Sequence, residues 1–506
     1  MQTPSPSQRD PREWHAPLVF GLLCVLIHLA LGNRFGYHHD EMYFAACGKR
    51  LALGYVDQPP LVPWLAALCQ KLFGESLRGL RLFPALAGGA SVFLTGILTR
   101  RLGGGRYAQT VACLALLVAP VYLRGQNLLA IPAFEPVIWL ACSLLAMKIV
   151  RDGRPRLWLW VGFIAGVGLM IKHTMLLYGF GLVVGLLATS QRHWLRSRQL
   201  WAGGGIAFLI FLPNLIWQMQ NGWPTYLWLQ NLNERIASQI SPVEFLIGQV
   251  LYLHPVNLPL WIAGLWFFFR KQEAKPYRFL GWIWITTFIL LIGSGGKIYY
   301  LAPAYPVLFA GGAVLAERWS GSRVRLKRAI PVVIVAAGLV LAPLSLPILP
   351  IETTDRYIQA ATFGLLEDAY ELTADLHDQF GWKQQVDLVE EAWNSLSEEE
   401  KSRAIILVTG RGTASAIDFF GEARGLPPAR CGVLSYWLWG YGDGPVDVLV
   451  TVGFGQESLD TLANNVTEIG VFTHPHVNPW RNNQIVAVCR DLNLTMEELW
   501  PQLKRW

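Results

Sequence analysis

Four acidic residues and a few cations have the types and spacing to do chemistry. Asp40 and Glu41 lie in GYHHDEMYFAA, Asp57 in GYVDQPPL and Glu135 in NLLAIPAFEPVIW. The two prolines after Asp57 fix an extended turn that would aim its carboxylate, and Glu135 is flanked by Pro132 and Pro136. The cations are Lys172, with His173 beside it, and Lys297 in SGGKIYYLAPAYP. The glycines before Lys297 bring backbone N–H groups close to an anion, and Tyr299 and Tyr300 add hydroxyls and aromatic surface. Tyr43, three residues past Asp40, completes the set. A carboxylate can take the proton of an attacking hydroxyl; lysines stabilise charge growing on a departing phosphate. Asp40, Glu41 and Glu135 are the candidate catalytic residues. Asp57, Tyr43, Lys172, His173, Lys297, Tyr299 and Tyr300 are the candidate substrate contacts.

The elements that carry these residues are set by lipid. Of the 506 residues 53% are hydrophobic and only 15% charged, outside the range of a soluble globular chain. A spanning helix needs about 20 mostly apolar residues, and about eleven runs qualify. They lie near 16–32, 82–98, 108–123, 132–149, 157–171, 175–189, 201–219, 247–269, 280–293, 300–316 and 330–349. The polar opening MQTPSPSQRDPREWH is followed by an apolar run with no A-x-A site after it, which reads as an uncleaved first span. Alternate loops such as RRLGGGR, RDGRPR and QRHWLRSR carry 21 Lys and Arg against 5 acids, while the other side carries 10 against 7. The basic side is the cytoplasm. The N-terminus is then cytoplasmic, and an odd span count puts the C-terminus outside, in the periplasm of an inner-membrane protein. All the candidate residues fall on that outer side. The net charge of +7 is accounted for by cytoplasmic loops facing anionic lipid, not by nucleic acid.

Two regions are not spans. The segment 42–75 reads as two short amphipathic helices at the interface, Met42 to Leu53 and Leu61 to Phe73, with Trp64 at headgroup depth. From residue 351 onward the chain holds 23 Asp and Glu against 11 Lys and Arg, and its alternating composition is that of a small α/β domain. Candidate strands there are 404–408, 446–452, 469–472 and 484–489; candidate helices are 386–396, 413–420 and 457–464. The fold class is therefore a polytopic helical membrane domain, 1–350, followed by an extracytoplasmic α/β domain, 351–506. None of the seven cysteines has zinc-site spacing; Cys431 and Cys489 could pair if their backbones approach.

Each candidate also has a structural reading. Asp40 could cap the helix that Glu41 opens, and Glu135 could sit in the favourable first turn of its span. Lys297 could be a snorkelling lysine and the tyrosines part of an aromatic belt. His254 in YLHPVNLPL reads as a hydrogen-bonded packing residue. Four acids with matching cations on one side favour a site, and one suited to moving a sugar from a lipid phosphate to a hydroxyl.

HHDEMYFAA, GYVDQPPL, FEPVIW, GLMIKHT and GGKIYYLAPAYP, in that order and on that side, resemble the bacterial branch of the protein O-mannosyltransferase and aminoarabinose-transferase group of C-type glycosyltransferases (family 39). The resemblance covers Tyr37 to about Ala316 and extends loosely into the tail through FGWKQQV, AIDFFG and LPP. It implies a multispanning enzyme that uses polyprenyl-phosphate sugars, usually with inversion. It also implies Asp40 as base with Glu41 beside it, Asp57 and Glu135 as acidic site residues, and Lys172, Lys297 and Tyr299 near the carrier phosphate. Glu135 stands where many relatives have Asp, and TGRGTASA at 409–416 departs from the tyrosine- and glutamate-bearing segment expected there, which puts acceptor recognition by the tail in question. The expected acceptor is a lipid A, glycan, lipid or protein hydroxyl. Catalysis need not require a divalent ion, because a prenyl phosphate among lysines is already a competent leaving group, although the acids could hold a divalent metal.

Two other classes compete with this reading. A secondary transporter keeps its ionisable groups near the midplane and often shows internal repeats, and neither feature is evident here. An inactive homologue serving envelope assembly would not need the full residue set.

Overall fold

The computed structural model describes residues 14–237, 240–361 and 370–506. The polar opening at 1–13 and parts of the loop before Leu246 lie outside the described residues. The chain divides into two compact units. One holds the chain through Gly32, Arg81–Gln220 and Gln230–Ile348; the other holds Asn33–Leu80, Asn221–Leu229 and Leu349–Trp506. Asn33–Leu80 thus groups with the C-terminal chain, whereas the sequence draws its boundary at 350.

The first unit is helical because backbone N–H and C=O groups inside lipid must be satisfied within the segment. Among the described residues, six helices are long and apolar enough to cross a membrane: Leu77–Arg101, Ile131–Asp152, Arg198–Gln220, Lys275–Gly293, Ile298–Ser320 and Val324–Leu344. Three further runs are bent pairs, Arg106–Val118 with Pro120–Gln126 (66°), Met175–Leu187 with Ser190–Arg196 (117°) and Pro242–Tyr252 with Pro255–Arg270 (92°). The run expected at 247–269 is therefore not one straight helix. It breaks where His254 has φ +74° and Pro255 follows, since proline cannot donate into the preceding turn. The run at 108–123 breaks before Pro120 for the same reason. The remaining two, His15–Leu31 and Leu157–Leu169, are shorter apolar helices.

Lipid is the solvent for the outward faces of this unit. Leu18, Leu22 and Leu26 form an exposed i, i+4 stripe on the first helix, and only 11% of the apolar window of Arg198–Gln220 is buried inside the protein. This is a multi-pass membrane protein. Between helices, glycine allows close approach. A Cβ on Gly312 would stand 1.9 Å from the Leu260 carbonyl oxygen, and one on Gly264 would stand 2.1 Å from that of Leu308. Gly162 and Gly203 make the same reciprocal contact between Leu157–Leu169 and Arg198–Gln220.

The second unit is built on a five-stranded sheet: β1 (Ala404–Val408), β2 (Arg430–Cys431), β3 (Val448–Val452), β4 (Ala463–Phe472) and β5 (Gln484–Leu492), in the order β2-β1-β3-β5-β4. The β2-β1-β3 strands are parallel and the others antiparallel. Side chains alternate between faces: Leu407, Leu449, Ala487 and Cys489 pack on Leu459, Leu462, Met496, Leu499 and Trp500. The helix Trp382–Asn394 packs on β3, β4 and β5. β4 begins at Ala463, so the helix expected to reach 464 stops at Leu462. The open pairing of Cys431 with Cys489 is corrected here. Three strand steps separate β2 from β5, about 14 Å at the usual spacing, beyond any disulfide, and both thiols are free and buried.

The two short helices of Asn33–Leu80 run His39–Lys49 and Leu61–Phe73. The first begins earlier than expected, because His38 caps it, and every residue from Glu41 to Gly48 is buried. It packs on Leu61–Phe73 and on the tail helix Arg411–Phe420. Gly48 sits where a Cβ would meet Ala67 N at 2.9 Å.

The glycine contacts yield a stability prediction. Gly312→Val should lose about 1–3 kcal/mol by overpacking, seen as a lower unfolding temperature in detergent. Gly205→Val, where an added Cβ meets nothing within 4 Å, should change little. Equal unfolding temperatures for the two variants would rule out close helix approach as the reason for glycine at 312.

Candidate active site

In the second unit the chain around Asp40 forms a connected charge network. His38 is the N-cap of His39–Lys49: its Nδ1 accepts from Asp40 N at 3.2 Å, and its own N–H donates to Glu41 Oε2 at 2.9 Å. This capping box gives the wholly buried Glu41 the N3 role, and the cap is His38, not Asp40. The Asp40 carboxylate turns instead to cations. Arg411 Nη2 lies 2.7 Å and His39 Nε2 3.1 Å from the same oxygen, Oδ1. The other face of the His39 ring is held by Asp378, whose Oδ2 accepts from His39 Nδ1 at 2.7 Å and from the His39 backbone at 2.8 Å. Asp378 is itself buried, and its Oδ1 accepts from Asn478 Nδ2 at 3.2 Å.

Charge states follow from this network. Burial alone would lower the His39 pKa, but the Asp378 and Asp40 carboxylates more than offset it and push the imidazole up to about 10. His39 is therefore a cation whose Nε2–H points at Asp40, and the 3.1 Å between Arg411 Nη2 and His39 Nε2 reflects two donors sharing one oxygen. Burial would raise Asp40, yet His39 and Arg411 hold it well below the usual carboxylate range. Asp378 is lowered too, its burial outweighed by His39 and His38.

Tyr43 and Asp57 adjoin this network. The Tyr43 hydroxyl lies 2.9 Å from both Asp57 Oδ1 and Ser435 Oγ, and the Arg411 guanidinium sits 5.0 Å from the centre of its ring. With one proton to give, the hydroxyl serves the carboxylate. Burial pushes Asp57 up against the pull of Arg411 and Tyr43. Arg50 continues the chain of pairs, 3.0 Å from Asp418 of the tail helix.

His38, His39 and Asp40 present ligand atoms within 4.8 Å of one another, so they are the group to test for the divalent metal left open above. They do not fit it. His39 Nδ1 is committed to Asp378, and Asp40 Oδ1 already carries a guanidinium where an ion would stand.

In the first unit a separate group surrounds Glu135. It opens the helix Glu135–Asp152, in the first turn where an acid suits the helix dipole. Lys172 Nζ lies 2.9 Å from its Oε2, and the Thr174 hydroxyl donates to Oε1. The lysine also lies 4.0 Å from the ring centre of Tyr300 and 5.2 Å from that of Tyr299, a cation–π arrangement. His173 Nε2 is 3.3 Å from Asn214 Oδ1. Lys297 is the N-cap of the 3-10 turn Ile298–Ala304, which carries Tyr299 and Tyr300.

Asp40, Tyr43 and Asp57 therefore share one network, and Glu135, Lys172, Tyr299 and Tyr300 another. Sequence reasoning missed Arg411, Asp378, Ser435 and Thr174. Arg411 had one available signal: it follows Gly410 just past β1, and the carboxyl ends of parallel strands are where α/β sheets place ligand-facing groups. Asp378 lies beyond a helix in an acidic stretch and carries no such mark.

Comparison with known proteins agrees with the resemblance. The family described as dolichyl-phosphate-mannose-protein mannosyltransferase matches residues 57–217. The undecaprenyl phosphate-alpha-4-amino-4-deoxy-L-arabinose arabinosyl transferase 2 of Pseudomonas fluorescens (strain Pf0-1) is 26% identical over 61% of this chain and 60% of its own length. The corresponding transferase of Pseudomonas paraeruginosa (strain DSM 24068 / PA7) is 31% identical over 60% of this chain and 59% of its own length. The match thus spans about 60% of the length of these curated relatives. Among solved structures, ArnT from Cupriavidus metallidurans bound to undecaprenyl phosphate superposes with a TM-score of 0.65 at 17% identity, covering 95% of this chain and 98% of that one. Its apo state gives 0.60 at 18%, covering 93% and 97%. The fold is that of ArnT, and in sequence and fold the chain is similar to the protein O-mannosyltransferase and aminoarabinose-transferase group of C-type membrane glycosyltransferases.

Proposed function

We propose that this chain transfers a glycosyl group from a polyprenyl-phosphate sugar to a hydroxyl acceptor, a glycolipid, glycan or protein, on the outer face of the cytoplasmic membrane. The observation that carries the reading is the ionised, partly exposed Asp40 carboxylate, held at one oxygen by Arg411 and His39. In the reaction the acceptor oxygen bonds to the anomeric carbon with inversion and the bond to the phosphate oxygen breaks. The electron pair leaves with the polyprenyl phosphate, and the hydroxyl proton passes to Asp40. A low carboxylate pKa suits this order of events, because the hydroxyl becomes acidic only as its bond to carbon forms.

Glu41, at N3 of the capping box with His38, holds the helix start that orients Asp40, and Asp57, hydrogen-bonded by Tyr43, lines the acceptor side. Lys172, poised on Tyr299 and Tyr300, contacts the carrier phosphate together with Lys297, with Glu135 and Thr174 setting the lysine's direction and His173 fixed by Asn214. The donor class is supported by the relatives' names and by the undecaprenyl phosphate in the ArnT structure. The charge asymmetry of the loops supports eleven crossings, a cytoplasmic N-terminus and an extracytoplasmic C-terminal domain from residue 351 in the inner membrane.

Mass spectrometry of envelope glycans from cells with and without the protein tests the activity, and the mass that disappears names the sugar. Asp40→Asn should cut transfer by about 10²- to 10⁴-fold; transfer at the full rate would remove Asp40 from the role. Lys172→Met should raise KM for the lipid donor by about ten- to a hundredfold, the worth of one charged hydrogen bond, and an unaltered KM would take the lysine off the phosphate. A third prediction needs no substrate. The His39 contribution to stability is complete below its free value of 6.5 and is lost as pH rises through about 10, whereas the Asp40 and Asp378 contributions are complete above 3.8 and fade in acid. Thermal unfolding of His39→Gln across pH should therefore lose the alkaline decline between pH 6.5 and 10 that the parent protein shows; identical alkaline limbs would refute a cationic His39.

A further inference from the structure

The C-terminal domain supplies groups to the carboxylate read above as the proton acceptor. Arg411 opens the helix that follows β1 and contacts Asp40 Oδ1 at 2.7 Å. Asp378, just past the helix Tyr370–His377, takes both the backbone N–H and Nδ1–H of His39, whose Nε2 reaches the same Oδ1. We propose that Arg411 and the Asp378–His39 pair are positioning residues for transfer: they hold Oδ1 of Asp40 and so leave Oδ2 as the atom that receives the acceptor's proton. The inference rests on Asp40 being the base.

Several features separate this arrangement from an incidental surface ion pair. Both donors converge on one oxygen, and among the described residues Oδ2 has no recorded partner. Asp378 is buried and braced in turn by Asn478 at 3.2 Å, with its backbone carbonyl accepting from Trp382 Nε1 at 2.6 Å and from Arg481 at 3.3 Å. The site also makes room for the tail. A Cβ on Gly412 would stand 3.2 Å from His39 Cβ and 2.9 Å from the Trp382 ring, so glycine there lets the arginine-bearing turn come close to the histidine. A carboxylate free to rotate would offer either oxygen in a spread of directions. Pinning one oxygen fixes the other, and loss of such orientation costs a reaction about ten- to a hundredfold.

The pH response of Asp40 is set by the groups facing it: His38, His39, Arg411 and, at longer range, Asp57, with Asp375, Asp378 and Arg481 around the histidines and Tyr43 beneath the guanidinium. The test uses membranes from cells producing the full chain, with their own lipid-linked donors and acceptors, and follows chain-dependent sugar addition by mass spectrometry from acid to alkaline pH. Arg411→Met and Asp378→Asn should each lower the rate about ten- to a hundredfold and move the acid limb of the profile to higher pH, with Arg411→Lys restoring part of both. A merely structural role would reduce the amount of folded protein without moving the limb. If the parent membranes add sugar and both variants keep its rate and acid limb, positioning is refuted while the transferase reading stands; if the parent membranes add none, both fall. Independently, a ¹⁵N-histidine titration of the full chain in nanodiscs should show the His39 pKa falling in Asp378→Asn, and an unshifted value would overturn the Asp378 part of the proposal whatever the activity.

Discussion

A carboxylate taken out of bulk water must find a cation or a set of donors, or give up its charge. That constraint organises the second unit. Asp40 is satisfied by Arg411 and His39, His39 by Asp378, Asp378 by Asn478, and Asp418 by Arg50, by the Tyr436 hydroxyl and by the Ala429 backbone. Each pair ties a residue from 33–80 to one from the C-terminal chain, or braces a residue that does. The helix His39–Lys49, buried from Glu41 to Gly48, is covered by Leu61–Phe73 and by the tail helix Arg411–Phe420.

The first unit obeys a different rule. With lipid on the outside, apolar surface provides no drive for helices to associate, so contact depends on how closely backbones can approach. Reciprocal glycines at 264 and 312, and at 162 and 203, bring carbonyl oxygens of one helix to the backbone of the next. Charge inside this unit is scarce, and Glu135 is accordingly fully engaged by Lys172 and Thr174. The lysine is spread further over two aromatic rings, which holds a cation in place without cancelling it.

In the two networks an acid lies beside a cation, but the balance differs. Around Asp40, two cations meet one oxygen and the carboxylate is locked in its ionised form. Asp57, by contrast, is pushed toward the neutral form by its burial, against the pull of Arg411 and of the Tyr43 hydroxyl. Two neighbouring carboxylates are thus pushed in opposite directions by their surroundings.

Much of this was legible in the chain itself. The helical membrane class, the position of nearly every apolar run, the α/β character of the tail and the candidates Asp40, Asp57, Glu135 and Lys172 all follow from local properties: hydropathy over about 20 residues, proline placement and charge where charge is costly. Bends at Pro120 and at His254–Pro255 were written as prolines but not as angles, because a proline permits a break without dictating its direction. The long partners could not be read. Arg411 and Asp378 lie 371 and 338 residues from Asp40 in the chain; beyond the place of Arg411 after a parallel strand, nothing local distinguishes them from the solvated charges around them. Cys431 and Cys489 looked equally able to pair until strand order put two strands between them. Sequence alone determined which groups would need partners, since the cost of an unpaired charge depends only on its surroundings being apolar. Which partners they found was decided by tertiary structure, because that depends on which distant backbones the sheet and the glycine contacts bring within a few ångströms.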